Sequence, residues 1–371
     1  MTVSAQATSN VLQPVEVAIV GDGKRSLAAG AALATQGHSV RLASLKARPG
    51  GRADLCHSDN QIGKIMERLR LACIAPDISA AVKGVEVVVI CAPVTEYGAL
   101  AACLGGSLST GQTVVLSDAP LCASLQFAQK IAAAGLDAQV NILEMGRWFD
   151  SLEVQADRFV VRGGRERVSI CGRSRNETRR GLQGLSRLWT GLVPASNLLE
   201  RGFTDVERLI GPVLRLFRLL SPLVPQPRIV DPPGPALVSI VSRVGDEVQA
   251  LGRSFDLRLG GIEQILTDYT GTRVGSLAQA IVEIEQRAGW LGGVAVVDCE
   301  PLEKLAVDVG ETLVPLAALA MLARLPVPTI DAVVELASCV THRDLRKEGR
   351  GLHELGLVGL DVQEIIELIN A

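Results

Sequence analysis

A short glycine-containing segment near the amino terminus has the residue types and spacing of a phosphate-binding turn. It stands between a β-branched run and an Ala-rich stretch and reads Gly21-Asp22-Gly23-Lys24-Arg25-Ser26. The first glycine permits a sharp turn, the second lets a pyrophosphate approach the backbone, and the N–H groups at a helix start attract negative charge. Ser26 replaces a third glycine and is small enough for close helix–strand packing. The segment predicts a dinucleotide site; the alternative is a glycine-rich turn without a ligand.

The residues after the second predicted strand bear on which dinucleotide binds. Proteins that bind NAD usually place Asp or Glu there, where the carboxylate binds the ribose 2′-OH. Here Ser44 or Leu45 holds that position, and Lys46, Arg48 and Arg52 follow it. A carboxylate would repel the 2′-phosphate of NADP, whereas a hydroxyl and cations bind it. We therefore predict NADPH rather than NADH as the cofactor, with a solvated basic loop as the alternative.

Other polar residues follow predicted strands, and in an α/β sheet the ligand-binding groups lie at such strand ends. Ala92 and Pro93 follow one strand and are predicted beside the nicotinamide ribose, whereas Glu144 and Arg147 follow another. A guanidinium can bind a substrate carboxylate through two parallel hydrogen bonds, although a surface arginine is an equally good interpretation of Arg147. Tyr269, much further along the chain, is a candidate for binding the substrate and donating a proton.

The elements that must position these residues fall into two groups. The first half alternates β-branched runs with Ala-rich helical stretches, and this spacing predicts an α/β fold with a doubly wound parallel sheet of the Rossmann type. After about residue 195 only helical periodicity is found. We therefore predict a dinucleotide-binding domain over 1–195 and an all-α helical domain over 196–371. The predicted strands are 15–20, 38–45, 85–92, 113–117, 139–144, 158–163 and 167–171, and the predicted helices of the second half are 208–223, 236–251, 276–288, 313–325, 330–340 and 362–369.

Composition excludes several classes of protein. The chain has 371 residues, more than one ordinary core fills, and a net charge of −3 gives no electrostatic footprint for nucleic acid or an acidic membrane surface. With 48% hydrophobic and 21% charged residues it is not a disordered chain. Its eight cysteines are scattered, with no Cys-x-x-Cys pair, which favours reduced thiols in a cytoplasmic protein and no metal site.

Three segments in the second half resemble the octopine/nopaline (opine) dehydrogenase family. Residues 307–315 (VDVGETLVP) are similar to that family's segment with an acidic residue and Leu-Val-Pro. Residues 328–331 (PTID) are similar to its Pro-Thr-Ile-Asp stretch, which opens a helix, and residues 346–356 (RKEGRGLHELG) resemble its Arg-x-x-Gly-Arg-x-Leu-x-x-Leu-Gly segment. Each segment is weak alone, but their order, together with the dinucleotide half, makes the resemblance fairly specific.

The resemblance implies a Rossmann domain followed by a helical substrate domain. Members of the family condense the amine of an amino acid with a 2-oxo acid and reduce the resulting imine with a nicotinamide hydride. They are expected to handle protons with a His–Asp pair, whose Asp maps onto Asp331. Physically, Asp331 can orient a base or bind an ammonium group, or it can cap a helix after Thr329.

The chain departs from the family at the histidine of this pair. The family's His-Pro maps onto Gly211-Pro212, and the four histidines of the chain are His38, His57, His342 and His353. The proton donor must then be another group, for which Glu207, Asp205, His342 or a water are the candidates. Alternatively the substrate arrives as a preformed imine, whose nitrogen needs less acid assistance than a ketone.

Taken together, the residues and the resemblance predict a cytoplasmic NADPH-dependent reductase that acts on the C=N bond of an amino-acid-derived substrate. The partners expected are an amino acid with a 2-oxo acid or the preformed imine, and a second copy of the chain, without nucleic acid or membrane. Two alternatives stay open: a 2-oxo-acid or ketone reductase of the same architecture, and a cofactor-binding assembly or regulatory protein that has lost turnover.

Overall fold

The chain folds into two compact units in a computed structural model, which describes residues 14–22, 24–45, 73–74, 77–149, 151–155, 158–162, 166–220, 233–271, 275–287 and 301–371. The first unit consists of residues 1–119 and 123–194, and the second of residues 120–122 and 195–371. The first contains all of the described strands and the second is helical.

The first unit is built on an eight-stranded sheet with a separate two-stranded sheet beside it. In the large sheet the strand order is β10-β9-β6-β5-β4-β1-β2-β3, and β7 pairs only with β8. The strands are β1 (Glu16–Val20), β2 (Ser39–Ala43), β3 (Cys73–Ile74), β4 (Val87–Ile90), β5 (Thr113–Ser117), β6 (Asn141–Met145), β7 (Ser151–Gln155), β8 (Arg158–Arg162), β9 (Val168–Gly172) and β10 (Leu192–Pro194).

The sheet is parallel from β6 through β3, which confirms the predicted Rossmann-type core. The sheet is not parallel throughout, because β9 pairs antiparallel with β6 through Glu144 and Cys171. The reason is the connection between them, since β6 and β9 are joined by the β7–β8 hairpin and no described helix crosses over the sheet. A parallel neighbour needs such a crossover, whereas an antiparallel one does not.

Helices cover both faces of the sheet, because successive residues of the buried strands point to opposite sides. Val17 and Ile19 of β1 face a core formed with α1 and α5, whereas Ala18 and Val20 face a core formed with α2, α3 and α4. These helices are α1 (Lys24–Thr35), α2 (Ile78–Val82), α3 (Tyr97–Leu104, preceded by a 3-10 turn at Val94–Glu96), α4 (Ala123–Ala133) and α5 (Arg175–Leu185).

The second unit is centred on two long helices that pack against each other and against a third. Its helices are α6 (Leu198–Phe203), α7 (Val206–Leu220), α8 (Pro235–Ser254), α9 (Ile262–Thr270), α10 (Leu277–Arg287), α11 (Pro301–Leu322), α12 (Pro328–Thr341), α13 (Leu345–Glu348) and α14 (Val362–Asn370). Helix α11 begins twelve residues before the predicted position, and it packs against α7 and α12.

Helix α11 is also the one described helix that is long and apolar enough to cross a membrane by length and composition. Two thirds of its most apolar window (67%) is buried inside the protein, as in a core helix. The described residues contain no group of three or more His, Cys, Asp or Glu side chains that could hold a metal ion.

Two of the segments that carry the family resemblance meet in the second unit. The backbone N–H of Arg350 donates to the carbonyl oxygen of Gly310 at 2.9 Å. A Cβ atom on Gly349 would lie 3.0 Å from the Cα of Gly310 and 2.7 Å from the carbonyl oxygen of Leu345. Glycine at both positions therefore lets the backbone after α13 lie directly on α11, which gives these glycines a packing role.

We expect Gly349→Ala to destabilise the second unit by about 1–3 kcal/mol, because its methyl group has backbone on two sides and cannot be accommodated by a rotamer change. Gly351→Ala is the matched control, since its Cβ would make only an ordinary 3.5 Å contact with the Glu354 carboxylate. Thermal unfolding of the two variants checks the prediction. Equal melting temperatures would show that the Gly310–Gly349 contact tolerates a side chain.

Candidate functional site

The turn after β1 approaches the end of β4 so closely that only glycine fits. A Cβ atom on Gly21 would lie 2.3 Å from the carbonyl oxygen of Cys91, and its φ is +153°. The N–H of Gly21 donates to the carbonyl oxygen of Ala43 at 3.0 Å, and the N–H of Cys91 donates to that of Val20 at 2.8 Å. Strands β1 and β4 are neighbours at which the chain order reverses, the position where dinucleotides bind in such sheets.

The other predicted residues of this turn are in part described. Ser26 is buried, as expected for a small residue at the helix–strand contact, and a Cβ atom on Gly30 of α1 would lie 2.9 Å from a methyl carbon of Leu42. Lys24 begins α1 and Arg25 lies in its first turn. Gly23 of the turn, and Lys46 and Arg48, on which the NADPH prediction partly depends, lie outside the described residues.

The surroundings of Ser44 differ from the expectation in one respect. The sequence places no acidic residue at the end of β2, but the fold brings a carboxylate there from the turn, since the Ser44 hydroxyl donates to Oδ1 of Asp22. Ser44 is buried and Asp22 is half-buried. A carboxylate at this position can accept a hydrogen bond from a ribose hydroxyl and repels a 2′-phosphate. The end of β2 therefore presents a carboxylate to the ribose as well as the predicted hydroxyl.

The end of β4 places Ala92 and Pro93 beside the same turn. Both residues are accessible, and Pro93 precedes the 3-10 turn that leads into α3. The preceding Cys91 is a free thiol, and burial raises its pKa to about 12 although the Ser117 hydroxyl and Arg25 act in the opposite direction. The thiol is therefore protonated at neutral pH.

Sequence analysis missed Asp118, which directly follows β5. Its Oδ2 atom accepts from Nη1 of Arg25 at 2.7 Å and from Nη2 of Arg147 at 3.0 Å. Arg147, predicted to bind a substrate carboxylate, is thus already in contact with a carboxylate of the protein. The signal that could have identified Asp118 is the one that pointed to Glu144 and Arg147, namely an ionisable residue at the carboxyl end of a parallel strand.

Glu144 has a structural contact rather than an accessible position. It is fully buried in β6, and its Oε1 atom accepts from both the backbone N–H and the hydroxyl of Ser124, each at 2.8 Å. Ser124 lies in the first turn of α4, so the carboxylate binds a helix start that would otherwise have an unsatisfied donor. Substrate binding by Glu144 therefore has no geometric support in this structure.

In the second unit the fold brings together two residues that were predicted separately. The hydroxyl of Tyr269, on α9, donates to Oε1 of Glu207, on α7. Glu207 is buried at 6% exposure, whereas Tyr269 is half-buried. A carboxylate and a phenol in direct contact can exchange a proton, and both are residue types that serve as general acids or bases.

Two arginines of α7 that follow Glu207 in the chain form ion pairs. Arg208 Nη1 lies 3.2 Å from Glu311 of α11, and Arg208 Nε lies 3.6 Å from Asp205. About two turns further along α7, Arg215 Nε lies 3.0 Å from Asp308, which Lys304 also contacts. Asp205, considered as a proton donor from the sequence, is therefore paired with Arg208 at the start of α7, and Asp308 joins α11 to α7.

Gly211 and Pro212, the positions of the family's His-Pro, are buried in the interior of α7. Of the histidines, His342 is the exposed C-cap of α12 with a φ of +53°, and His353 is exposed beside Glu354. His38 is buried at the start of β2, where burial and the nearby Arg187 lower its pKa, and His57 lies outside the described residues. The catalytic role considered for His342 stays a prediction, at a position typical of a helix-end residue.

Asp331 is a half-buried residue in the first turn of α12, and its carboxylate forms an ion pair with Arg346 at 2.7 Å. The alternative interpretation, a helix cap, is wrong for Asp331. The N–H groups of Thr329 and Ile330 are instead bound by the Glu247 carboxylate of α8, at 2.7 and 2.9 Å. A carboxylate from a neighbouring helix thus serves the helix start and leaves Asp331 for another contact.

Comparison with known proteins agrees with this architecture. No family model matches the chain. An opine dehydrogenase from Arthrobacter sp. (strain 1C) is 25% identical over 290 residues, which cover 77% of this chain and 79% of that protein. Octopine dehydrogenase in complex with NADH and agmatine matches with a TM-score of 0.69 at 13% identity, over 95% of this chain and 98% of that one. Yersinopine dehydrogenase with NADP⁺ bound matches with a TM-score of 0.59 at 15% identity, over 96% and 97%.

These matches confirm the resemblance to opine dehydrogenases and the fold class, a Rossmann sheet followed by helices. The solved structures, at identities of 13% and 15%, establish the fold only. A ketopantoate reductase of the PanE/ApbA family also shares it, with a TM-score of 0.53 at 14% identity over 88% of this chain and 98% of that one. The replacement of the family's histidine by Gly211 stays a prediction.

Proposed function

We propose that this chain, a homologue of opine dehydrogenases, is an NADPH-dependent oxidoreductase that reduces the C=N bond of an imine derived from an amino acid. The observation that carries the proposal is the contact of Gly21 with Cys91 at the reversal of strand order, where a Cβ would occupy the backbone's own space. The homologue and the matching folds support a nicotinamide-dependent reductase of this architecture.

The residues of the turn fit a dinucleotide. Glycine at position 21 leaves the backbone open beside the start of α1, whose N–H groups attract a diphosphate. When bound, the nicotinamide supplies a hydride to the imine carbon. The chain's own share is to position the substrate, to exclude competing reactions and to provide the proton that the imine nitrogen gains.

The Glu207–Tyr269 pair is the group we assign to this proton. Reduction converts the C=N bond to a CH–NH bond, so each turnover consumes one hydride at carbon and one proton at nitrogen. The Tyr269 hydroxyl, bound to the buried Glu207 carboxylate, gives its proton to the imine nitrogen, and a proton taken up from solvent through the carboxylate restores the hydroxyl before the next turnover. A preformed imine suits this pair, because its nitrogen is more basic than a ketone oxygen and needs a weaker acid.

The choice of cofactor is testable at the corner formed by Asp22 and Ser44. We expect NADPH to bind more tightly than NADH, Lys46→Glu to weaken NADPH binding by about tenfold, and Asp22→Asn to strengthen it relative to NADH because one carboxylate no longer repels the 2′-phosphate. Fluorescence titration with both cofactors measures these effects. Tighter binding of NADH by the wild type would overturn the cofactor assignment while leaving the reductase assignment intact.

The reaction is tested by following NADPH oxidation with pairs of amino acids and 2-oxo acids, and with 2-oxo acids alone. Octopine dehydrogenase has been seen with NADH and L-arginine and with NADH and pyruvate, so arginine with pyruvate is the first pair to use. A secondary amine product, identified by mass, supports the proposal. Oxidation by 2-oxo acids alone would favour the ketone reductase, and tight NADPH binding without oxidation by any pair would favour the protein that has lost turnover, to which Gly211 points.

A further inference from the structure

Two arginines share one oxygen of Asp118 at the carboxyl edge of the sheet. Arg25 comes from the first turn of α1, next to the glycine turn, and Arg147 follows β6. Both guanidinium groups contact Oδ2, at 2.7 and 3.0 Å. The Asp118 side chain is 10% exposed and that of Arg147 20%, whereas that of Arg25 is 55% exposed. Arg25 is thus the partner that faces solvent.

The backbone holds Asp118 in this position. Its φ is +53°, in the left-handed region that few residues other than glycine, asparagine and aspartate adopt readily. The following N–H, of Ala119, donates to the carbonyl oxygen of Met145 at the end of β6 at 3.1 Å. The carboxylate is therefore fixed between the ends of β5 and β6, and a change in its pairing must come from the arginines.

We infer that Asp118 is an affinity-setting residue for the cofactor: its carboxylate competes with the cofactor's diphosphate for Arg25. A diphosphate at the start of α1 carries more negative charge than one carboxylate and offers more acceptor oxygens, so it attracts the solvent-facing Arg25 away from Asp118. Asp118 keeps Arg147 in either state. The binding free energy contributed by the Arg25–diphosphate contact is then reduced by the cost of breaking the Arg25–Asp118 ion pair. This reduction keeps the cofactor from binding too tightly to be released.

This inference rests on the dinucleotide site of the proposed function and is independent of the imine substrate. It makes a prediction about sign that a purely structural role does not share. If Asp118 competes for Arg25, removing the carboxylate increases the contribution of Arg25 to the free energy of cofactor binding. If Asp118 instead positions Arg25 on the cofactor, removing the carboxylate decreases that contribution.

A double-mutant cycle separates the two possibilities. The proteins are the wild type, Arg25→Met, Asp118→Asn and the double variant, and the measurement is the dissociation constant of NADPH, read from the quenching of the protein's tryptophan fluorescence. We expect Asp118→Asn to tighten binding by about threefold to tenfold. Arg25→Met should weaken binding by about twofold to fivefold in the wild type and by more than about tenfold in the Asp118→Asn protein.

Asparagine is the appropriate replacement because it also tolerates a positive φ, so the backbone at position 118 is retained. Arg147→Met is a second, independent test. Without Arg147 the Asp118 carboxylate should bind Arg25 more strongly and compete better with the diphosphate, so NADPH binding should weaken by about twofold to threefold. An Arg25→Met effect that is larger in the wild type, or equal in both backgrounds, overturns the inference alone. Failure of the wild type to bind either NADPH or NADH overturns both the inference and the proposed function.

Discussion

Replacing Glu207 by Gln is expected to lower kcat for imine reduction by about 10²–10⁴-fold while leaving the dissociation constant of the cofactor unchanged. General acid–base catalysis contributes a factor of this size when the proton-transferring group is removed. The substitution keeps the size of the side chain and an oxygen that can accept from the Tyr269 hydroxyl, so the contact between α7 and α9 is retained. What is lost is the carboxylate that can take up a proton from solvent and pass it to the tyrosine. Steady-state rates and cofactor titrations on the same preparations measure both quantities.

Glu311→Gln is the matched control for this prediction. It removes the same charge from the same layer of helices, where Glu311 pairs with Arg208 at 3.2 Å, but it does not touch the Glu207–Tyr269 pair. We expect its kcat to stay within about threefold of the wild type, because the amide that replaces the carboxylate can still accept from Arg208 and the Glu207–Tyr269 contact is untouched. Equal losses in the two variants would show that the charge of the cluster, rather than the pair, matters for turnover.

The pair also predicts how two substitutions combine. Tyr269→Phe removes the hydroxyl and Glu207→Gln removes the carboxylate, and residues that act as a unit show strongly non-additive effects on rate. The double variant should therefore be about as slow as the slower single variant. The pH profile adds an independent check, since loss of the acid or base should remove one limb of the rate dependence that remains in the Glu311→Gln protein.

The strands were predicted well from the sequence where the apolar run is long, whereas short strands and the direction of β9 were not predicted. β1, β2, β4, β5, β6, β8 and β9 lie within or close to the predicted runs, because buried strands are continuous stretches of β-branched residues. β3, β7 and β10 were missed. β3 and β10 have two and three residues, too few to show a period, and β7 has only Leu152 and Val154 as apolar residues. The antiparallel β9 was predictable in principle. No helical stretch was predicted between residues 144 and 167, and without a crossover a parallel neighbour is excluded.

The site was less accessible from sequence because its contacts join distant residues. Tyr269 and Glu207 are 62 positions apart, and nothing in the spacing pairs them. The carboxylate beside Ser44 was missed because it comes from the turn after β1 and not from the end of β2, although Asp22 stood in the predicted turn. Glu247 replaces Asp331 at the start of α12 for the same reason, since a cap can be supplied by any helix that packs nearby. Local rules identify the candidates, and only the fold decides which of them meet.

Replacing Gly21 by Ala is expected to weaken cofactor binding by more than about 100-fold, equivalent to about 2.7 kcal/mol. The added Cβ would lie 2.3 Å from the carbonyl oxygen of Cys91 and 2.8 Å from its carbonyl carbon, and a methyl group has no rotamer that relieves a clash with backbone. The turn must then move away from β4, and with it the N–H groups that are to bind the diphosphate. Titration of the folded variant with NADPH measures the loss. The variant will also be less stable, so a control with equal strain elsewhere is needed.

Gly191 provides that control within the same unit. A Cβ there would lie 1.9 Å from the carbonyl oxygen of Glu166, and its φ of +115° is as unfavourable for a side chain as that of Gly21. Gly191 precedes β10, which four strands separate from β1 in the sheet order, so its distortion does not reach the turn. Gly191→Ala should therefore lower the melting temperature but leave the NADPH dissociation constant within about threefold of the wild type, because additivity holds for distant sites. If both variants lost binding equally, the loss would reflect general destabilisation, and the Gly21 turn would have no special claim to the cofactor.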